Sequence, residues 1–328
     1  MVGGKRIRSV MMVEKRVTLR DVAAAAGVSR ATAGFVLSDA PGIAISDATR
    51  QRVRETARDL GYSPHSIARA LREGSSRVIV LTIDSGYEGN YSRTFTRGLD
   101  DELAVHDHVL LVRHGHAAPG SPQRLLEAIS PRAVLRMPDY LAPGHEFDDG
   151  GWEGGLAGNV AVQLRYLAGR GHEHVAVALP DGNPPLGPVR LRFASEAAGR
   201  IGLPAPPDLT VPRDRAGAAD AVRAFLGTHP AVTAFAAFDD DVALRVLAAA
   251  RDLGLSVPGD LAVIGFDDTD YGALFTPALT TVHIDAEEHG RQAARMILGR
   301  GGGGLTAMPA QVIVRESEPA RVIVRESA

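Results

Sequence analysis

The sequence predicts two fold classes in one chain. An all-α helix-turn-helix head with a hinge helix is followed by an α/β body of two lobes with parallel, doubly wound sheets. Three observations lead there. Residues 17–37, VTLRDVAAAAGVSRATAGFVL, carry two short apolar stripes at helical spacing around a glycine. From Arg77 onward, apolar strand-like runs alternate with helix-length amphipathic segments. Charge is divided unevenly between these two parts.

In the head, Leu19, Val22, Ala23 and Ala26 recur at i, i+3, i+4 and i+7, one buried helical face. Thr18 stands where an N-cap belongs, with Asp21 three residues later. Gly27 suits the left-handed residue that ends a helix. Ser29 caps a second helix striped by Ala33, Val36 and Leu37. Ser46-Asp47 opens a third, running to Leu60 and stopped by Gly61, with Val53, Ala57 and Leu60 on one side and Arg50, Arg52, Arg54 and Arg58 elsewhere. Helices this short gain stability only by packing together. A second helix that presents its N-terminal side chains outward, beside scattered arginines, suits a DNA groove and its phosphates.

Residues 1–77 hold 14 Lys and Arg against 7 Asp and Glu, a balance of +7; the rest of the chain holds 22 against 32, a balance of −10. A basic head on an acidic body directs one end toward a polyanion. Residues 1–16 read as a basic, disordered arm, residues 17–62 as the DNA-binding domain and residues 63–76 as hinge helix and linker. Within that hinge, Ser66 to Arg72 makes less than two helical turns, and its Ile67, Ala68 and Leu71 have no core of their own.

The body spans 77–310. Its expected strands are VIVLTI (78–83), VLLVR (109–113), AVLRM (133–137), HVAVAL (174–179), one near 209–211, AVTAFAAF (231–238) and LAVIGF (261–266). Helices fall near 91–105, 121–129, 159–169, 190–201, 216–227, 241–253 and 286–299, and residues 138–158, rich in Gly, Pro and Asp, interrupt the rhythm. Two runs of right-handed βαβ units make two lobes with a cleft, where ligands sit beyond the carboxyl ends of strands. Those ends carry Asp84, Asp239 to Asp241 and Asp267-Asp268, with Arg190 and Arg192 opening a helix after a Gly/Pro-rich loop. Carboxylates facing arginine suit a hydroxyl-rich ligand, although a helix N-cap is the competing role, most of all for Asp240 or Asp241. Residues 311–328 form a last strand and tail in which VIVRES occurs twice, at 312–317 and 322–327; one copy suits a strand and the other has no evident slot.

The absence of cysteine excludes disulfides and thiolate metal sites. No apolar run reaches 18 residues and no signal-like segment opens the chain, so a cytoplasmic protein without membrane contact is expected. His106, His108, His114 and His116 flank a strand with no carboxylates arranged to complete a metal site, and no G-x-G-x-x-G turn follows the first strand. Neither an enzyme nor a cofactor is expected.

Taken together, VTLRDVAAAAGVS, SDATRQRVRETARDLGYSPHSIARAL, GRGHEHVAVAL, VPGDLAVIGFDD and PALTTVHID resemble the LacI/GalR family of bacterial repressors over roughly 17–299. The resemblance implies a homodimer on a pseudo-palindromic double-stranded operator. It also implies a periplasmic-binding-protein-like (type I) body whose small effector, often a sugar, changes operator affinity. By position, Ser29 and Thr32 match phosphate contacts, Arg30, Ala31 and Phe35 match residues facing base edges, and Leu71 matches a minor-groove wedge. Thr18, Ser66 and Arg69 complete the DNA-contacting set. Asp84, Arg192, Asp239 and Asp267 make the effector set. Three features depart from the family pattern: Gly34-Phe35 where Ser-Arg is common, Asp239 where Asn is usual, and a shortened stretch at 137–158 containing Trp152. A small-solute-binding protein without DNA binding is the alternative; it accounts for the body and leaves residues 17–72 without a role.

Overall fold

The computed structural model describes residues 17–38, 43–62, 76–115, 121–137, 151–182, 184–301 and 310–317, which divide into a unit ending at Arg77 and a larger one beginning at Val78. The expected roles of Ser66, Arg69 and Leu71, and the second VIVRES copy, lie outside the described residues.

The described residues of the first unit form three helices: α1 (Leu19–Ala25), α2 (Arg30–Leu37) and α3 (Asp47–Asp59). Each starts at the expected cap, Thr18, Ser29 and Ser46 accepting from the backbone N–H three residues on. Val22, Ala23, Ala26, Ala33, Val36, Val53 and Ala57 form the core. Small alanines let the helices approach closely, and Gly27 and Gly61 take φ +65° where the chain reverses. Leu60, expected inside, is 39% exposed, because α3 ends one residue earlier and its stripe stops at Ala57.

In the second unit, β1 (Val78–Ile83) pairs in parallel with β2 (Val109–His114) and β3 (Ala133–Arg136), giving the order β2-β1-β3. Strands β4 (Val175–Pro180), β5 (Asp208–Val211), β6 (Ala234–Ala237) and β7 (Ala262–Ile264) form a second parallel sheet in the order β5-β4-β6-β7. Antiparallel β8 (Thr281–His283) and β9 (Gln311–Ile313) complete the fold. Among the described residues the α-helices are α4 (Asn90–Val105), α5 (Ser121–Ile129), α6 (Gly151–Gly169), α7 (Gly187–Arg200), α8 (Arg215–Thr228), α9 (Asp240–Asp252) and α10 (Ala286–Ile297).

Lobe membership does not follow chain order. Ala286, Ala293 and Ala294 of α10 join the core of β1 and α4, so the chain returns to the N-terminal lobe after building the C-terminal one. That return rests on two glycines. A Cβ on Gly98 would lie 1.8 Å from the Glu287 carbonyl oxygen, and one on Gly290 would lie 2.1 Å from that of Phe95, so α4 and α10 touch backbone to backbone. Helix α6 begins at Gly151, eight residues before the expected start at 159. Four glycines in its first turns hide the helix from a propensity reading, while Leu156, Val160, Leu164 and Leu167 bury a continuous stripe in the C-terminal core. Trp152 therefore lies on a helix and not in a loop.

Candidate DNA interface and effector cleft

On α2, Ala33 and Val36 face the core while Arg30, Ala31 and Phe35 are exposed. Positions 30, 31, 34 and 35 share a face at i, i+1, i+4 and i+5, so a cation, a methyl and an aromatic ring form one surface around Gly34. Ser29 Oγ accepts from Thr32 N–H at 3.0 Å and lies 2.8 Å from Thr32 Oγ1, which sets two hydroxyls at the positive end of the helix. The positive end of a helix attracts anions in general. Thr18 is differently committed. Its hydroxyl and its N–H both donate to Asp21 Oδ2, at 2.7 and 2.8 Å, closing a capping box on α1. Two arginines assigned by sequence to phosphate also hold the head together: Arg52 Nε donates to the Ala26 carbonyl at 3.1 Å, and Arg50 donates to the carbonyls of Ile45 and Ile43.

In the body, the GFDD motif is built around Asp240. This fully buried carboxylate accepts from Phe266 N–H at 2.8 Å and from Thr269 N–H at 2.6 Å, and from the hydroxyls of Thr269 and Thr281. Burial raises its pKa above the usual carboxylate value, and those donors oppose the rise. A Cβ at position 265 would lie 2.1 Å from Asp240 Oδ1, so Gly265 leaves room for the carboxylate. Buried Gln163 ties the same region down by donating to the carbonyls of Ala237 at 2.9 Å and Gly265 at 3.0 Å. Asp240 is thus a framework residue. The α9 N-cap is Asp239, whose Oδ1 accepts from Val242 N–H at 2.8 Å. The expectation of a cap at Asp240 or Asp241 was displaced because β6 ends at Ala237; Asp241 pairs with Arg245 at the surface.

The framework positions Asp267 and Asp268 at φ +90° and +50°, a conformation that L residues seldom adopt and that clusters at ligand sites. Asp268 is held by Arg315 and His283, each at 3.0 Å. The Asp267 carboxylate accepts the backbone N–H of Tyr91, and its carbonyl accepts from Asn90 Nδ2 at 2.6 Å, so both ends meet the start of α4 in the opposite lobe. Burial, reinforced by Asp239, pushes its pKa up to about 7. Asp239 is also raised, again by burial first. Their counter-ion is Arg190, buried with its guanidinium 3.5 Å from the Phe266 ring centroid and donating to the Phe238 carbonyl at 2.9 Å. Burial lowers its pKa to about 10, and Asp267 and Asp239 counteract that fall.

Arg192, two residues on, is about half exposed with its Nε 3.9 Å from Glu196 one turn on. The arginine buried beside Asp267 and Asp239 is Arg190, in phase with buried Phe193, Ala194 and Ala197. Asp84 follows β1 as expected and pairs with Arg136 at 2.9 Å at the end of β3. Near it, a Cβ on Gly86 would lie 2.5 Å from Pro185 Cδ, so the loop after β1 closely approaches the loop before α7. The residues brought together are Asp239, Asp267 and Arg190, with Asn90 and Tyr91 facing them across the lobes; sequence reasoning missed Asn90 and Tyr91. Among the described residues no helix is long and apolar enough to cross a membrane.

Residues 18–65 match the profile of bacterial regulatory proteins of the lacI family, and residues 164–328, half of the chain, match that of the periplasmic binding protein-like domain. Among curated relatives, the HTH-type transcriptional repressor PurR of Edwardsiella ictaluri is 28% identical, covering 86% of this chain and 90% of its own. The HTH-type transcriptional repressor CytR of Escherichia coli K12 is also 28% identical, covering 94% and 98%. The fold is shared with the lac repressor dimer bound to operator and the anti-inducer ONPF, at 19% identity and a TM-score of 0.74 over 93% of this chain and all of that one. It is shared too with the complex of the transcriptional regulator CelR with cellobiose, at 24% identity and a TM-score of 0.59 over 92% of this chain and all of that one.

Proposed function

The chain belongs to the lacI family of bacterial regulatory proteins, with a periplasmic-binding-protein-like body, and from that premise we propose that it is a cytoplasmic, non-enzymatic repressor released or retained on its operator by a polar metabolite. The observation that carries this reading is the pairing of two surfaces in one polypeptide. One is α2, with Arg30, Ala31 and Phe35 outward above a capped N-terminus. The other is the Arg190, Asp239 and Asp267 group at the strand ends of the body. Arg30 supplies a bidentate donor for guanine, Ala31 and Phe35 supply apolar contact for thymine methyls, and Ser29 and Thr32 fix register on phosphate.

In the cleft, one arginine against two carboxylates supports a ligand rich in hydroxyl or amino donors, a sugar or a related compound. Because Asp267 bridges to Tyr91 and Asn90 of the other lobe, a ligand that competes for its oxygens changes the contact between the lobes. That gives the ligand the differential interaction an allosteric effector requires.

A homodimer on a pseudo-palindromic site fits the exposed apolar surface formed by Tyr271, Leu274 and Phe275, of which Leu274 is 79% exposed. It adjoins a groove lined by Leu247, Leu255, Val257 and Pro277. Protruding apolar residues beside a groove make the self-complementary kind of patch that a two-fold interface needs.

The test is a metabolite panel of mono- and disaccharides, amino sugars and nucleosides, scored by thermal shift and then by retention of operator. A compound at 100 times its Kd adds about 2.7 kcal/mol to stability. We expect one that both raises Tm and alters operator retention, with both effects lost in Arg190→Met while operator binding persists. Equal responses in wild type and Arg190→Met would overturn the placement of the site.

A further inference from the structure

The duplication at the C-terminus is longer than VIVRES: residues 309–318 read PAQVIVRESE and residues 319–328 read PARVIVRESA. The first copy fills a slot that engages Ala310, Val312, Arg315, Glu316 and Ser317. Ser317 is fully buried; its Oγ accepts from Thr280 N–H at 2.7 Å and donates to the Val263 carbonyl at 2.8 Å. Arg315 donates to the Leu279 carbonyl at 2.8 Å and to Asp268, and Glu316 accepts from Ala278 N–H. Val312 lies opposite Val282 and packs on the C-terminal core with Ala310. Each of these positions recurs unchanged ten residues later, as Ala320, Val322, Arg325, Glu326 and Ser327. Within the strand the copies differ only where Gln311, which is exposed, is replaced by Arg321.

We propose that β9 has two registers, the slot beside β8 being filled by either copy of the repeat in exchange. The side chains the slot recognises are the same in both, so packing and hydrogen bonding do not separate the two states. Each state takes one copy of the repeat and leaves the other out of the slot. What differs is loop length. The connection from α10 in the N-terminal lobe to the strand in the C-terminal lobe grows from residues 299–310 to residues 299–320, through the run Gly301–Gly304. By the three-halves-power law this lowers closure probability roughly 2.5-fold, which leaves the second register populated on the order of one molecule in three. A strand is weakly specified in register when alternatives match its buried face. The exchange therefore gives one passage between the lobes two lengths. Because Arg315 or Arg325 would hold Asp268, next to Asp267, the slot adjoins the effector group in either state.

The experiment is a three-variant comparison in the full-length protein: Ser317→Ala, Ser327→Ala and the double variant, each followed by thermal unfolding. Removing the hydroxyl leaves the Thr280 N–H and the Val263 carbonyl unpaired in a buried site. If the copies exchange, either single change is absorbed by the other register, and the loss of Tm in the double variant exceeds the sum of the two single losses. Losses that simply add, or a Ser317→Ala loss equal to that of the double variant, would overturn the proposal. So would a mild Ser317→Ala phenotype that appears only at high protein concentration, since that marks a strand borrowed from a second chain.

Discussion

Arg30 opens α2 exposed, and α2 itself carries no other Lys or Arg beside Ala31 and Phe35. Arg30→Ala should weaken binding to the preferred duplex by about 1–3 kcal/mol and binding to unrelated duplexes less. Titrations on both kinds of DNA check this, and an equal loss on both would reassign Arg30 to phosphate. In the cleft, the Asp267 carboxyl titrates near 7, above its value in an unfolded chain. A raised folded-state pKa means stability that is present at low pH and lost as pH rises through about 7. Asp267→Asn removes that dependence, so the Tm of the variant should gain on wild type between pH 5 and pH 8 while effector response disappears. A gap that stays constant with pH would contradict the burial argument.

At this scale the sequence was readable where chemistry is local. The three N-caps and the head core follow from spacing over a few residues, and the structure holds them. Arg192 follows from position in the family resemblance, whereas residues two apart on a helix point about 200° apart and the phase of α7 sets which of them faces the core. That phase was in fact present: Arg190 precedes Phe193, Ala194 and Ala197 by three, four and seven positions, whereas Arg192 shares its side with Glu196. Asn90 and Tyr91 left no comparable mark, since they meet Asp267 only after the lobes assemble.

Among elements, the contact of α4 with α10 depends most on absent side chains. Gly290→Ala must push a methyl against the backbone at Phe95 and Leu99, with the nearest backbone nitrogen 2.6 Å from the new carbon. An overpacked contact of this kind costs about 1–3 kcal/mol, measurable as a lower denaturant midpoint in urea unfolding; an unchanged midpoint would mean that the helices separate freely. The strands were legible as continuous apolar runs because parallel sheets are covered on both faces. The start of α6 was not, because its glycines oppose helix propensity and the stripe that compensates is satisfied only by the C-terminal core. β8 was missed for a similar reason. Its three residues have no partner nearby in sequence and pair with a strand that begins at Gln311.

For the molecule as a whole, the +7 balance of residues 1–77 against −10 for the remainder makes one end the cationic one. Salt should therefore weaken DNA binding steeply, as counterion release requires. Charge alone gives affinity without sequence preference, so the decisive property is whether α2 reads bases, and reads them in pairs. The measurement is selection of bound duplexes from a random-sequence pool by the full-length protein at 150 mM salt. Enrichment of an inverted repeat whose half-sites are lost with Arg30→Ala is the expected result. A pool that stays random through successive rounds, or that converges on a single half-site without symmetry, would contradict it.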